Sequence, residues 1–150
     1  GFLVVAHVKA HHAKALVAHV NIAEAENINR AYANNTPEQM FGYYAEIGYN
    51  IFKLFPKLNP KSMIIYLRYE QMDLNALVAL NGVNDDLQKK QFIIGGIHFQ
   101  PIKGISIKLD YTQRTTGDYN PQLYITNPYS TVLSFYKSNQ FVSLGIGYSF

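Results

Sequence analysis

The chain has 150 residues, enough for one domain, and its formal net charge is only +3 with no run of basic residues. That balance argues against a nucleic-acid partner. No stretch approaches the roughly 18 consecutive apolar residues of a membrane helix, and the absence of Cys excludes a disulfide framework or a Cys-ligated metal. A hydrophobic content of 48% is compatible with strands that alternate between lipid and water, because such strands have an unremarkable average hydropathy.

Seven segments alternate apolar and polar residues with period two, which predicts an all-β chain of about seven strands. Most segments are about ten residues long, the length of a tilted strand that crosses a bilayer. They run roughly from Phe2 to Val8, Ala15 to Glu26, Phe41 to Phe52, Ser62 to Met72, Lys90 to Gln100, Gly104 to Arg114 and Asn139 to Phe150.

The N-terminal region is the weakest part of this assignment. Residues Ala10 to Ala33 are rich in Ala, His and Glu and could form a helix, but the run from Val17 to Ile22 favours a strand because β-branched residues recur at period two. The chain also starts inside its first strand and without Met. Since bacterial barrels usually have an even number of strands, we expect residues 1–150 to be the C-terminal portion of one larger barrel domain.

The connections between these segments alternate between short and long. Residues 9–14, 53–61 and 101–103 are short, whereas 27–40, 73–89 and 115–138 are longer and rich in Asn, Asp, Thr and Pro. Bacterial outer-membrane barrels have short periplasmic turns and long external loops. We therefore expect a transmembrane antiparallel up-and-down β-barrel in the outer membrane, with its C-terminus at the periplasmic side.

Charge follows the same division between short and long connections. The short connections and their edges carry lysines and no acid, namely Lys9, Lys14, Lys53, Lys57, Lys61 and Lys103. The long connections carry or adjoin the acids Glu26, Glu38, Asp73, Asp85, Asp86 and Asp118. The simpler alternative is ordinary surface solvation with chance clustering.

One phase of the alternation predicts apolar stripes that face lipid. These stripes are Phe41, Tyr43, Ala45, Ile47, Tyr49 and Ile51; Met63, Ile65, Leu67 and Tyr69; Ile93, Gly95, Ile97 and Phe99; and Ile105, Ile107, Leu109 and Tyr111. Aromatic residues are expected near both interfaces, as membrane girdles require. The outer set is Tyr43, Tyr69 and Tyr111, and the inner set is Tyr49, Phe99, Tyr148 and Phe150. A soluble β-sandwich would use the same stripes as its core.

The opposite phase predicts a polar interior. Its candidate pore-lining residues are Tyr44, Glu46, Tyr66, Arg68, Glu70, His98, Lys108 and Asp110. Charges in a membrane-spanning segment are costly unless they face water or partners. We interpret this face as a pore lining whose field sorts solutes, the alternative being a polar network that only fills or braces the interior. Arg68 with Glu70, and Lys108 with Asp110, are same-face neighbours that could each pair across strands.

The terminal strand resembles the C-terminal assembly signal of bacterial outer-membrane proteins through Ser143, Gly145, Tyr148 and Phe150. Over roughly residues 15–150, the chain also resembles the C-terminal half of the phosphate-selective (O/P-like) porins of the Bacteroidota. The similar segments are Gly42-Tyr-Tyr-Ala-Glu-Ile-Gly-Tyr-Asn50, Ile65-Tyr-Leu-Arg-Tyr-Glu70, Gly95-Gly-Ile-His-Phe-Gln-Pro101 and Leu109-Asp-Tyr111.

This resemblance implies a porin for passive diffusion of small hydrophilic solutes or ions. It also implies contact with outer-membrane lipid, lipopolysaccharide and the barrel assembly machinery, and a homotrimer or envelope complex. The balance of acids and bases on the interior face departs from the cationic ladder that phosphate selectivity would need. The rival hypothesis is a structural barrel subunit that anchors or docks an envelope complex through residues 115–138.

Catalytic and metal sites have little support in the sequence. No Ser-His-Asp arrangement has a recognisable local context, and neither a nucleophile elbow nor a phosphate-binding Gly loop is present. We therefore expect neither an enzyme, such as an outer-membrane hydrolase, nor a cofactor. His7, His11 and His12 do not form a metal site by their spacing, because adjacent strand residues face opposite sides and no Cys or acid cluster completes a tetrahedral set.

Overall fold

The computed structural model describes residues 2–8, 13–58, 61–120, 123 and 136–149, with the backbone alone over residues 2–8. Within these ranges the chain forms the strands β1 (Phe2–Val8), β2 (Ala13–Asn21), β3 (Pro37–Asn50), β4 (Ser62–Val78), β5 (Lys89–Ile102), β6 (Ile105–Thr116) and β7 (Ser138–Tyr148). The connections contain the helix α1 (Ala25–Tyr32) and short 3-10 helices at Ile51–Leu54, Pro56–Leu58 and Asp86–Gln88.

All seven strands belong to one sheet, in which each strand pairs with its sequence neighbours in antiparallel orientation. The predicted all-β, up-and-down antiparallel arrangement is therefore confirmed. Among the described residues β1 and β7 do not pair with each other, so the sheet is open and has two edges.

The register divides the side chains between two faces. Tyr49 lies opposite Ile65, which lies opposite Ile97, and the row continues through Leu109 to Leu144 on β7. Because side chains alternate along each strand, the other phase forms the opposite face. We call the first surface the apolar face. The second is the polar face, which carries Lys14, Tyr44, Glu46, Tyr66, Arg68, Glu70, His98, Lys108 and Asp110.

No second layer covers the apolar face within the described part of the chain. The hydrophobic residues buried there are only Ala25, Tyr66 and Ala79, and none of them belongs to the apolar face. Ile47, Leu67 and Ile146, which lie on that face, are 64%, 52% and 76% exposed. The sheet is thus a single layer, without the core that a soluble sandwich builds between two sheets.

The end of the second predicted strand is wrong. β2 stops at Asn21, and the following segment turns into α1 through Glu24, which adopts a left-handed conformation with φ of 57°. An ion pair of 2.8 Å between Glu26 and Arg30, four residues apart, supports the helix. The helical alternative is correct only for this short segment.

β3 and β4 are longer than predicted. β3 starts at Pro37 and β4 ends at Val78, and these two residues pair with each other. The register shifts between Gln39 and Phe41, so the alternation that the sequence displays is interrupted at this point. Backbone hydrogen bonding continues across this irregularity because it does not depend on side-chain type.

The up-and-down topology gathers alternate connections at opposite ends of the sheet. β1, β3 and β5 end, and β2, β4 and β6 begin, at one end of the sheet, which we call the short end. β2, β4 and β6 end, and β3, β5 and β7 begin, at the other, the long end. The predicted alternation of ends is confirmed. The difference in length is less regular than predicted, because 51–61 is about as long as 79–88.

Candidate functional site

The polar face brings all eight predicted pore-lining residues onto one surface. Glu46 lies opposite Arg68, and Tyr44 lies opposite Glu70. His98 lies opposite Lys108 on the neighbouring strand. The remaining two, Tyr66 and Asp110, both lie opposite Gly96.

Glu46 is the centre of the ion pairs on this face. Its carboxylate accepts hydrogen bonds from Arg68 at 2.9 Å from Nε and 2.8 Å from a terminal guanidinium nitrogen. On the other side, the Lys14 ammonium lies 3.6 Å from the same carboxylate. The Glu46 side chain is only 11% exposed, so two cations share one shielded anion. Glu70 adds a more distant contact with Arg68, at 3.9 Å.

A second cluster surrounds Tyr66, which is 8% exposed. Its hydroxyl donates a hydrogen bond to Asp110, and the Lys108 ammonium lies 2.9 Å from the same carboxyl group and 5.1 Å from the Tyr66 ring centroid. The ring occupies the space over Gly96, where an added Cβ would lie 2.6 Å from Tyr66 Cζ. A glycine at this position lets the ring approach the neighbouring backbone closely.

Between the two clusters lies an open polar groove of about 530 Å³, which Glu46, Arg68, His98, Gln100 and Lys108 help to line. Three cations and three anions compose the ion pairs of the two clusters. The groove can therefore offer hydrogen-bond donors and acceptors to a polar solute without a large excess of either charge.

The sequence missed Lys14 as a member of this face and did not identify the partner of Arg68. Lys14 was expected in a short turn, but β2 begins at Ala13, and Lys14 lies opposite Glu46. Arg68 was expected to pair across strands, and it does so with Glu46 at 2.8 Å, while Glu70 on its own strand is more distant at 3.9 Å. Cross-strand pairs depend on register, which alternation along a single strand does not reveal.

Aromatic residues lie at both ends of the apolar face. At the margin of the aliphatic band that is nearer the long end, the ring centroids of Tyr43 and Tyr69 are 6.0 Å apart, and both hydroxyls donate to Gln71 Oε1, at 3.1 and 3.0 Å. At the short end, Phe52 contacts Phe99 edge to face with 6.0 Å between centroids. Tyr49 and Tyr148 also lie on the apolar face near the short end, so aromatic rings with polar tips occur at both margins of the aliphatic band.

Asparagines connect two of the long-end connections. Asn35 Nδ2 donates to the Val83 carbonyl and Asn35 Oδ1 accepts from the Val83 amide, both at 2.8 Å. Within the connection after β2, Asn29 Nδ2 donates to the Thr36 carbonyl at 3.1 Å, and Asn29 Oδ1 accepts from the Thr36 amide at 2.6 Å. The connection after β2 and the connection after β4 are therefore joined into one polar surface.

The predicted assembly signal is divided between the two faces. Ser143 and Gly145 lie on the polar face, opposite Asp110 and Lys108. Tyr148 lies on the apolar face opposite Ile105 and is 71% exposed. Phe150 lies outside the described residues.

The described ranges contain neither a metal-ligand cluster nor a helix that could span a membrane. No group of three or more His, Cys, Asp or Glu side chains there could hold a metal ion, and His11 and His12 fall outside those ranges. None of the described helices is long and apolar enough to cross a membrane. Searches of protein-family models, curated proteins and solved structures find no match to the chain.

Proposed function

We propose that this sheet is a wall segment of a transmembrane β-barrel in a bacterial outer membrane. The apolar face contacts lipid, and the polar face lines a water-filled channel for passive diffusion of small hydrophilic solutes or ions. The observation that carries the proposal is the contrast between an uncovered apolar face and a polar face whose charges are paired within the sheet.

The uncovered apolar face supports a membrane setting because it needs an apolar partner. Burying one large aliphatic side chain contributes about 1.5–3 kcal/mol, and this face exposes them in rows, Ile47, Leu67 and Ile146 among them. Acyl chains would cover such a surface without a second protein layer. The aromatic pairs at its two ends, Tyr43 with Tyr69 and Phe52 with Phe99, suit the two interfaces of a bilayer.

Closure of the barrel is the second part of the proposal. The outer edges of β1 and β7 present backbone groups without a described strand partner, and such groups must be paired inside a bilayer. A larger closed barrel, completed by further strands, satisfies them. A closed ring would also place the polar face around a water-filled interior. The charges of Glu46, Arg68 and Lys108 cost less free energy there than they would in contact with lipid.

The proposal also includes an orientation in the membrane and a set of binding partners. The short end faces the periplasm, as in bacterial barrels with short periplasmic turns, and the long end faces outward, near lipopolysaccharide. The barrel assembly machinery would recognise the terminal strand through Ser143, Gly145, Tyr148 and Phe150. In this proposal the barrel assembles into a homotrimer or joins an envelope complex.

Single-channel recording of the full-length protein in planar bilayers tests conduction. We expect stepwise, ohmic ion currents, and a protein that folds into bilayers without any conductance contradicts the channel. Because this chain has no Cys, single cysteines can report which face is wet. Tyr44→Cys should react with a charged thiol reagent and reduce the current, whereas Ala45→Cys, its neighbour on the apolar face, should be protected by lipid. Equal labelling of both contradicts the assignment of the faces.

The second candidate function is a structural barrel that docks an envelope complex. It is favoured by the joined surface at the long end, where Tyr32 and Leu80 are 74% and 93% exposed. Residues 115–138 were the expected docking loop, and most of them lie outside the described residues. If a defined envelope partner no longer co-purifies with a Tyr32→Ala, Leu80→Asp variant whose conductance is unchanged, docking is supported. If the partner still co-purifies with that variant, this surface is not its docking site.

A further inference from the structure

The connection between β3 and β4 combines apolar and basic residues at the short end. Its residues 51–61 read Ile-Phe-Lys-Leu-Phe-Pro-Lys-Leu-Asn-Pro-Lys, and we call this segment the basic turn. Asn50 fixes its base, because its Oδ1 accepts from the amides of Phe52 and Met63 at 3.1 and 3.2 Å. Asn50 Nδ2 also donates to Ser62 Oγ at 3.0 Å, so both strand ends are tied together.

Apolar side chains of the basic turn continue the apolar face beyond the end of the strands. Phe52 packs edge to face on Phe99, which belongs to that face. Leu54 and Phe55 follow and are 62% and 56% exposed. If the apolar face lies in lipid, these two side chains lie at the boundary between acyl chains and headgroups.

The charges of the basic turn all have one sign. Lys53, Lys57 and Lys61 are exposed, and residues 51–61 contain no Asp or Glu. Within the described part of the chain none of the three forms an ion pair, in contrast with Lys14 and Lys108 on the polar face. Lys103, in the next connection at the same end, is also exposed.

We propose that the basic turn is an interfacial binding site for anionic phospholipid. Leu54 and Phe55 enter the acyl boundary, while Lys53, Lys57 and Lys61 contact the lipid phosphates. Exposed apolar side chains beside lysines are the combination that binds anionic membrane surfaces, and each lysine near such a surface strengthens binding about fivefold. This inference depends on the membrane placement proposed above but not on conduction.

A tryptophan reporter tests the site, because this chain has no Trp. The full-length Phe55→Trp variant is reconstituted into phosphatidylcholine bilayers that contain a minor fraction of brominated lipid, either phosphatidylglycerol or phosphatidylcholine. We expect brominated phosphatidylglycerol to quench the fluorescence several-fold more than brominated phosphatidylcholine. Replacing Lys53, Lys57 and Lys61 with Gln in the same reporter should bring the ratio close to one. Leu54→Trp serves as a second reporter if Phe55→Trp does not fold.

Leu144→Trp is the matched control, since Leu144 lies on the apolar face and is 67% exposed. Both brominated lipids should quench this control equally and strongly. If they do, but the Phe55 reporter shows no preference for phosphatidylglycerol, the anionic-lipid site is wrong while the membrane placement stands. If neither lipid quenches the control, the membrane placement itself is wrong, and the site with it.

Discussion

The two faces of this sheet share one backbone and one hydrogen-bonding ladder, yet they obtain their stability in different ways. On the polar face, side chains stabilise each other across strands, as Lys14, Glu46 and Arg68 do in one continuous row. On the apolar face, Ile65 and Leu67 remain 48% and 52% exposed despite their neighbours. The charges of the polar face are thus paired by other side chains of the sheet, whereas no described residue covers the apolar rows.

Two adjacent glycines, Gly95 and Gly96, show the same contrast between the two faces. An added Cβ at Gly96, on the polar face, would lie 2.6 Å from the Tyr66 ring, whereas one at Gly95, on the apolar face, would meet nothing within 4 Å. Two adjacent glycines therefore have different roles. Gly96 makes room for a packed ring, and Gly95 borders open space.

The largest effect is expected from a charge placed on the apolar face. In the proposed barrel, Leu67→Arg should destabilise the folded state in bilayers by roughly 2–4 kcal/mol, because an arginine near the bilayer centre loses its hydration. Reversible urea unfolding in phospholipid vesicles measures this change. Ser143→Arg, on the polar face opposite Asp110, is the matched control and should cost much less. Similar losses from both variants would remove the distinction between the faces.

The adjacent glycines provide the next test. Gly96→Ala should lower the free energy of unfolding by about 1–3 kcal/mol, since the new methyl group displaces Tyr66 from its contact with Asp110. Gly95→Ala should be close to neutral in the same unfolding assay. Equal effects of the two variants would show that the ring does not occupy the space over Gly96.

Removing the shared anion should change both stability and selectivity. Glu46→Gln leaves Lys14 and Arg68 without their common partner and should cost roughly 1–3 kcal/mol. The reversal potential in a salt gradient should shift towards anions, because two cations are no longer neutralised. Glu70→Gln, which removes only a contact of 3.9 Å, should shift it less. An equal or larger shift in the Glu70 variant would refute the central role of Glu46.

Two tyrosine hydroxyls give the smallest expected difference. Tyr66→Phe removes a shielded hydrogen bond to Asp110 and should cost about 0.5–1.5 kcal/mol. Tyr69→Phe removes an exposed bond to Gln71 and should remain within about 0.5 kcal/mol of the wild type. Thermal or urea unfolding of both variants under one set of conditions decides between them. If Tyr69→Phe lowers the free energy of unfolding more than Tyr66→Phe does, the hydroxyl of Tyr66 is not the better shielded of the two.

Much of the fold could be predicted from the sequence because alternation is a local property. The β5 and β6 boundaries were placed within two residues of Lys89–Ile102 and Ile105–Thr116. The prediction failed where local signals compete. Residues after Asn21 carry both strand and helix preferences, and the burial of Ala25 and Asn29 at the joined long end accompanies the helix found there.

The candidate site was predictable as a list of residues but not as a network. Period two was sufficient to place Glu46, Arg68 and Asp110 on one face. It did not reveal that Lys14 shares the Glu46 carboxylate, or that Tyr66 covers Gly96. These contacts join different strands, and their partners are set by the stagger between strands.

By itself, the sequence determined where most of the strands lie, that consecutive strands run in opposite directions, and which side chains are on the apolar and which on the polar face. Each of these properties depends on residues close together along the chain. The tertiary structure decided which cation meets which anion, which glycine lies under a ring, and that the apolar rows form one surface over which no described residue builds a second layer. Those properties depend on the register between strands, which the turns and the burial of one face set and which the alternation within a single strand does not reveal.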